Sequence, residues 1–252
     1  EDPNPNLDAG SRDLDEAVRL GDEEPYERFV RAQVLLGRAV AGRARGEDSR
    51  PLLRKALEDL DRCLALSPGG AEALAARGEV YREIAVELST RGEDASESCR
   101  FALRDLDEAL RVDPDSEFAL IRRAKTHRLQ GDLAMSARGD PEAHYERALA
   151  DLDRAIALQP SETDGWNERG LTRTAVGYAR TERTVDARDV LQGAIDDFGE
   201  VLARNPGSLD AMSNRGVAWT RFGEAEGRLH IDPRASFRKA VADYEEIIKR
   251  NP

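Results

Sequence analysis

Acidic and basic residues recur at fixed positions in this sequence, and they are the side chains that could do chemistry. Aspartate returns every 46 residues from Asp13 to Asp243, and arginine returns every 46 residues from Arg31 to Arg215. A carboxylate beside a guanidinium can support acid–base catalysis or form a structural ion pair. A catalytic centre has no reason to be copied along a chain, so this recurrence predicts a structural role.

The spacing also predicts which of these residues meet. Asp105 lies nine residues before Pro114 and Arg123 lies nine residues after it. If the chain reverses at the proline, the two face each other across antiparallel helices, from one repeat to the next. The predicted ion pairs are Asp59–Arg77, Asp105–Arg123, Asp151–Arg169 and Asp197–Arg215.

No other pattern in the sequence specifies a catalytic or metal site. It contains no glycine-rich phosphate loop, no His-Glu-x-x-His helix and no paired-cysteine metal motif. Residues 113–117 place carboxylates at alternating positions, but they lack the glycine and the distant glutamate of a calcium loop. With 50 acidic residues in 252, an arbitrary pair of carboxylates carries no information. We therefore expect no enzymatic activity, no cofactor and no bound metal.

The elements that position these residues repeat with the same period. The stretch Ala148–Pro160 recurs as Ala56–Pro68, Ala102–Pro114, Ala194–Pro206 and Ala240–Pro252, always 46 residues apart. A fixed period of about 20–50 residues is typical of a solenoid. We predict a polar lead-in over residues 1–12 and a single solenoid domain over residues 13–252. Its units close at Asp22, Pro68, Pro114, Pro160, Pro206 and Pro252.

Composition excludes several classes of partner. The net charge of −12 argues against a nucleic-acid backbone, which binds basic surfaces. There is no apolar run of about 18 residues, so we expect no membrane span. Cys63 and Cys99 form neither a disulfide framework nor a zinc motif. The chain starts without methionine and ends at the close of a repeat, so we expect it to be a piece of a longer protein. We favour the cytoplasm as its compartment.

Each unit reads as two helices. The first repeat predicts helices over 25–45 and 49–66, and the later repeats predict the equivalents of both at steps of 46 residues. Glycine at 46 and 92 is typical of the end of a helix. Gly78 and its equivalents predict a close approach between helices, opposite the alanines equivalent to Ala102. One short carboxylate precedes each second helix and can accept from the unpaired N–H groups of the first turn. These carboxylates belong to Asp48, Asp94, Asp140, Asp186 and Asp232.

The repeat resembles a known family. Arg-Gly early in one helix, followed by Ala-Leu-x-Asp-Leu-x-x-Ala-Ile-x-Leu-x-Pro through the next, resembles the tetratricopeptide repeat (TPR), although that repeat usually has about 34 residues. The additional residues fall between the two helices. The resemblance implies an all-α fold, a right-handed α–α superhelix of antiparallel helix pairs. It also implies a concave groove, lined by the first helices, that holds a peptide or partner protein.

One cluster stands out among the residues that this resemblance places in the groove. Basic and apolar side chains share one stripe of a helix, against the acidic background of the chain. Such a surface suits an acidic peptide with an apolar anchor, where charge steers binding and the anchor holds the peptide. The alternative is that Phe118 and Ile121 pack between helices while the bases offset nearby acids. The candidate binding residues are Arg82, Phe118, Ile121, Arg122, Lys125 and Arg128.

Two functions are compatible with these features. The first is a non-catalytic protein–protein interaction scaffold that binds a peptide or protein segment in its groove. The second is a structural spacer or regulatory array within a larger protein, for example one fused to a bacterial kinase. The apolar residues near the C-terminal end also predict fraying or self-association there, since a terminal repeat exposes an apolar face unless it is capped. Those residues are Ala240, Val241, Tyr244, Ile247 and Ile248.

Overall fold

A computed structural model describes residues 25–250, and within this range all regular structure is α-helical. First helices of 20 residues alternate with second helices of 17 residues. The described part of the chain contains ten helices: α1 (Pro25–Ala44), α2 (Arg50–Leu66), α3 (Ala71–Thr90), α4 (Ser96–Val112), α5 (Glu117–Ser136), α6 (Glu142–Leu158), α7 (Thr163–Glu182), α8 (Arg188–Arg204), α9 (Leu209–Arg228) and α10 (Arg234–Arg250). Every predicted helix boundary agrees with the structure to within one residue. The predicted lead-in over residues 1–12, Asp13, Asp22 and Pro252 lie outside the described residues.

The predicted carboxylate acceptors at the second helices are confirmed. Each of the five aspartates accepts a hydrogen bond from the backbone N–H two residues later, which is the first residue of the helix. The N–O distances are 3.2 Å for Asp48, 2.9 Å for Asp94, 3.2 Å for Asp140, 3.0 Å for Asp186 and 3.1 Å for Asp232. These bonds satisfy one otherwise unpaired donor at each helix start.

The first helices end in a left-handed residue, and only two of these residues are glycine. Gly46 and Gly92 have φ of +81° and +72°, whereas Arg138, Thr184 and His230 hold φ of 59°, 58° and 59° at the equivalent positions. In each turn the following N–H bonds back to a carbonyl five residues earlier, as in a Schellman motif. The later repeats therefore form the same turn without glycine, the residue that adopts a positive φ without strain.

The structure divides into two compact units, residues 25–126 and 127–250. In the first unit α1 packs on α2, α3 packs on α4, and α2 packs on α3. Gly78 confirms the predicted close approach, because a Cβ there would lie 2.8 Å from Leu106 Cγ and 3.0 Å from the Ala102 carbonyl oxygen. The buried core includes Leu53, Leu60, Val80 and Leu106.

The second unit repeats this arrangement. Here α7 packs on α8, α9 packs on α10, α6 packs on α7, and α8 packs on α9. Its buried core includes Tyr145, Leu152, Leu191 and Phe198. The chain is therefore an all-α solenoid built from antiparallel helix pairs. At its last helix Ala240 is buried, whereas Val241 and Ile248 are 52% and 66% exposed; self-association through this end stays a prediction.

Two absences apply to residues 25–250. No helix there combines the length and apolar composition needed to cross a bilayer. In the same range no group of histidine, cysteine and carboxylate side chains is arranged to hold a metal ion. Cys63 and Cys99 are buried free thiols, and burial raises the pKa of the Cys99 thiol to about 11.

Candidate partner-binding surface

The recurring aspartates and arginines do form ion pairs, but the predicted register is wrong. Arg77 Nε and Nη2 donate to the two carboxylate oxygens of Asp105 at 2.6 and 2.9 Å, so the arginine of a first helix pairs with the aspartate of its own second helix. This arrangement replaces the predicted pairs Asp59–Arg77, Asp105–Arg123, Asp151–Arg169 and Asp197–Arg215. The observed equivalents are Arg31–Asp59, Arg169–Asp197 and Arg215–Asp243.

Three of the recurring arginines also reach the preceding repeat, at a residue that the sequence did not indicate. Arg77 Nη1 donates to Asp61 at 2.8 Å, and Arg169 Nη1 donates to Asp153 at 2.7 Å. Successive helical residues turn by about 100°, so Asp59 and Asp61 point about 200° apart. The first aspartate therefore faces its own repeat and the second faces the next one. Arg123 follows the same rule, with Nη1 2.8 Å from Asp107 Oδ1.

Arg77 and Arg169 consequently each link three helices. Arg77 on α3 is joined to Asp105 on α4 and to Asp61 on α2. Asp105 is buried and Asp61 is exposed, so the bond to Asp105 lies inside the helix pair and the bond to Asp61 lies at its surface. The hydrogen bond that Arg77 donates to Asp105 raises the pKa of Arg77, against the opposing effect of burial. The position and burial of these pairs give them a structural role.

Phe118 and Arg122 lie side by side at the start of α5, in the first unit, with Phe118 exposed and Arg122 half-buried. Phe118 is 68% exposed, which contradicts the alternative that it packs between helices. Arg122 Cζ lies 5.9 Å from the centre of the Phe118 ring, and Ile121 beside it is half-buried. Burial lowers the pKa of the Arg122 guanidinium. Among the residues that the structure describes, no carboxylate forms an ion pair with Arg122. We call Phe118, Ile121 and Arg122 the Phe118 surface.

Arg82 belongs to a buried charge network instead of the exposed surface. It donates to Glu79 Oε1 at 2.8 Å and also contacts Glu83 on the same helix. Arg43 Nη1 lies 2.5 Å from Glu83, and Lys125 Nζ lies 3.5 Å from Glu79. The sequence position of Arg82 was compatible with a groove-facing side chain, but α3 carries two carboxylates that draw it inward.

This network controls the ionisation of Glu79. Burial by itself would raise the pKa of the Glu79 carboxyl, which is only 8% exposed. Arg82, Lys125 and Arg122 outweigh that effect and lower the pKa from 4.5 to about 2. Glu79 is therefore ionised at neutral pH and partly neutralises the nearby bases.

Arg128 lies in the second unit and also has carboxylate partners there. Its Nη2 donates to Glu168 at 3.1 Å, and its Nη1 lies 3.8 Å from Asp132. Of the six candidate binding residues, Phe118 is exposed, and Arg122 is half-buried but forms no ion pair among the described residues. Lys125 is half-buried and shares its charge with Glu79.

Two solved structures show which fold this is. PilW, described as a widely conserved type IV pilus biogenesis factor, has a TM-score of 0.59 and 17% identity, covering 98% of this chain and 86% of its own. TTC0263, a thermophilic TPR protein from Thermus thermophilus, has a TM-score of 0.52 and 18% identity, covering 84% of this chain and 99% of its own. No protein-family model matches the sequence, and no curated protein matches it.

Proposed function

We propose that this chain, whose fold is that of the tetratricopeptide-repeat proteins, is a non-catalytic scaffold that binds a segment of another protein along its first helices. One observation carries the proposal: within residues 25–250, the half-buried guanidinium of Arg122 forms no ion pair and has only the longer-range attraction of Glu79, and it lies beside the exposed ring of Phe118. A partly desolvated charge without a directly paired counter-ion is unfavourable. A partner that supplies a carboxylate would remove that cost.

The chemistry of this surface favours an acidic segment with an apolar anchor. Arg122 and Lys125 would attract the acidic side chain, while Phe118 and Ile121 would hold an apolar one. Arg82 and Arg128 contribute less in this proposal, because Glu79, Glu83 and Glu168 already engage them. Glu79 also fixes Lys125 at the edge of the surface.

Selection from a random peptide library tests the proposal. The whole chain is immobilised and challenged with phage-displayed peptides, and the enriched sequences are expected to combine acidic residues with an aromatic or aliphatic residue. The affinity of the best peptide is then measured by fluorescence anisotropy. Arg122→Glu and Phe118→Ala should each weaken it by about tenfold or more, as for central interface residues.

The chain offers matched controls for both substitutions. Tyr26 is 74% exposed at the position of α1 equivalent to Phe118, and Arg104 is exposed on the second helix α4. Tyr26→Ala and Arg104→Glu should leave affinity within about twofold of the wild type. If the selected peptides carry no acidic excess, or if Phe118→Ala and Arg122→Glu bind them normally, the Phe118 surface is not the binding site.

The spacer remains a second candidate because of one observation. Glu79, Arg82, Glu83 and Arg43 form ion pairs with one another within the first unit, so the charges on much of its first-helix face are already compensated. Failure to select any peptide from the library would favour this structural or regulatory array within a larger protein.

A further inference from the structure

A cavity of about 490 Å³ opens in the second unit, between the second helices α6 and α8. Its floor is apolar: Tyr145 of α6 packs with Val176 and Ala179 of α7, and Leu149 and Val190 lie partly buried beside them. Pockets that bind ligands in proteins commonly have volumes of about 300–1,000 Å³. None of these residues belongs to the Phe118 surface, so the cavity has no part in the function proposed above.

The cavity lies where the helix pair α3/α4 has two aromatic residues. In the helix pair α3/α4, Tyr81 stacks against Phe101 with 5.2 Å between ring centres. In α7/α8 the equivalent residues are Arg173 and Gly193. Gly193 offers no side chain, and Arg173 Nη1 instead donates to the Gly193 carbonyl at 3.2 Å and to Asp197 at 2.8 Å.

The residue at the floor of the cavity is also smaller than its equivalents in two other helix pairs. Val176 is equivalent to Ile84 in α3 and to Phe222 in α9. Phe222 packs against the buried cluster of Ala187, Leu191 and Ala225. Replacing large side chains by small ones leaves a void wherever the backbone cannot collapse. The α7/α8 pair therefore lacks aromatic volume that other helix pairs of the same chain supply from their own residues.

The charges around the mouth favour a cation. Arg180 lies 3.4 Å from Asp189, Arg183 lies 2.8 Å from Asp140, and Arg173 is held by Asp197. Glu142 and Glu146 are exposed on α6, and neither side chain forms an ion pair with the residues described. The uncompensated charge at the mouth is therefore negative.

We propose that this cavity binds an aromatic side chain of a partner polypeptide, with a neighbouring basic residue of the partner lying against Glu142 and Glu146. The incoming ring takes the place that the chain's own aromatic residues fill in α3/α4 and α9. Burying a large aromatic side chain contributes about 1.5–3 kcal/mol, which corresponds to a ten- to hundredfold gain in affinity.

Short blocked dipeptides test both parts of the proposal. The whole chain, labelled with ¹⁵N, is titrated with N-acetyl-Trp-Arg-amide, N-acetyl-Ala-Arg-amide and N-acetyl-Trp-Glu-amide while amide chemical shifts are followed. The Trp-Arg compound should shift signals from residues 142–149, 176–183 and 189–193. It should bind at least about tenfold more tightly than the Ala-Arg compound and about threefold more tightly than the Trp-Glu compound.

Two substitutions return the missing aromatic volume to the chain. Val176→Phe introduces the residue of the equivalent position 222, and the double variant Arg173→Tyr/Gly193→Phe introduces the Tyr81–Phe101 pair. Both should keep the wild-type circular dichroism and lose at least about tenfold in affinity for the Trp-Arg compound. Either variant suffices for the test if the other fails to fold.

The charge is tested separately from the ring. Glu146→Lys should abolish the preference for Trp-Arg over Trp-Glu, whereas Glu72→Lys, an exposed acid on α3, should leave it unchanged. The proposal is overturned if Trp-Arg does not bind, if Ala-Arg binds equally well, or if a folded cavity-filling variant retains wild-type affinity. Equal or tighter binding of Trp-Glu overturns the assigned charge of the partner.

Discussion

The helix pairs α3/α4 and α7/α8 occupy equivalent places in the repeat but differ on both of their faces. Each keeps the buried ion pair between its helices, Arg77–Asp105 in the first and Arg169–Asp197 in the second. On the first-helix face, the charged residues Glu79, Arg82 and Glu83 of α3 are replaced in α7 by smaller or uncharged residues. These are Leu171, Thr174 and Ala175.

On the second-helix face, α3/α4 has the larger side chains and α7/α8 the smaller ones. There α3/α4 has the stacked pair Tyr81 and Phe101, whereas α7/α8 has Arg173, Gly193 and a cavity. The comparison teaches that the two pairs share the ion pair that joins their helices, while the residues on their other faces differ. The first unit has a cluster of charged residues on its first helix α3. The second unit has an open apolar cavity beside its second helices α6 and α8.

The largest expected effect comes from removing the shared ion pair. Arg77→Met leaves the buried Asp105 without a partner, and we expect a loss of about 3–5 kcal/mol in the free energy of unfolding. Arg169→Met should cost about half as much, because Arg173 Nη1 still donates to Asp197 at 2.8 Å. Urea unfolding of both variants measures the difference.

A double substitution controls for the loss of packing. Arg77→Met/Asp105→Leu should be more stable than Arg77→Met alone, since it leaves no uncompensated charge. Equal losses for Arg77→Met and Arg169→Met would show that Arg173 does not serve as a second partner in α7/α8.

The next effect depends on pH and is confined to the first unit. The pKa of Glu79 is lowered to about 2, so its ionised form stabilises the fold above pH 4.5, and this contribution is lost as the pH falls towards 2. Leu171 at the equivalent position of α7 cannot titrate. Glu79→Gln should therefore be less stable than the wild type by about 3 kcal/mol near neutral pH and by about half of that near pH 3.

Urea unfolding at a series of pH values checks this prediction. Glu72→Gln, an exposed substitution on the same helix, provides the control and should show no such trend. A stability difference between wild type and Glu79→Gln that stays constant from about pH 6 to pH 3 would contradict the assigned ionisation.

The smallest expected effect lies at the ends of α3 and α7. Thr184 holds φ of 58° where Gly92 holds 72°, and a β-branched residue is disfavoured in this region. Thr184→Gly should stabilise the chain by about 1 kcal/mol, and Gly92→Thr should destabilise it by about 1–2 kcal/mol. Thermal melts should show shifts of roughly 2–4 °C per kcal/mol. Shifts of the same sign in both variants would rule out backbone strain as the cause.

The periodicity of the sequence was sufficient to predict the helices, because each boundary has a local chemical signal. Asp94 and Gly92 mark the turn between α3 and α4 through hydrogen bonds that involve only nearby residues. The choice of partners in the ion pairs has no such local signal, because it depends on how the packed helices face one another. Counting from Pro114 placed Asp105 opposite Arg123, but the rotation of the helix turns Asp105 towards Arg77 and leaves Asp107 facing Arg123.

The candidate site was only partly predictable for the same reason. The spacing placed Phe118 on a groove-facing stripe, and the structure leaves it exposed, but the burial of Arg82 depends on Glu79, Glu83 and the helices packed around them. The cavity did leave a signal in the sequence. Comparing equivalent positions shows glycine at 193 where Phe101 stands two repeats earlier, a loss of volume that no motif search detects.

The constant length of the repeat has a mechanical consequence. Each of the arginines 77, 123 and 169 bonds to the second helix of the preceding repeat, so these three junctions between repeats are held by the same kind of contact. If the chain is pulled from its ends in an optical trap, a repeat that opens releases 46 residues, or roughly 150 Å of fully stretched chain. The end-to-end length of the chain is then expected to increase in steps of equal size, one step for each repeat that unfolds.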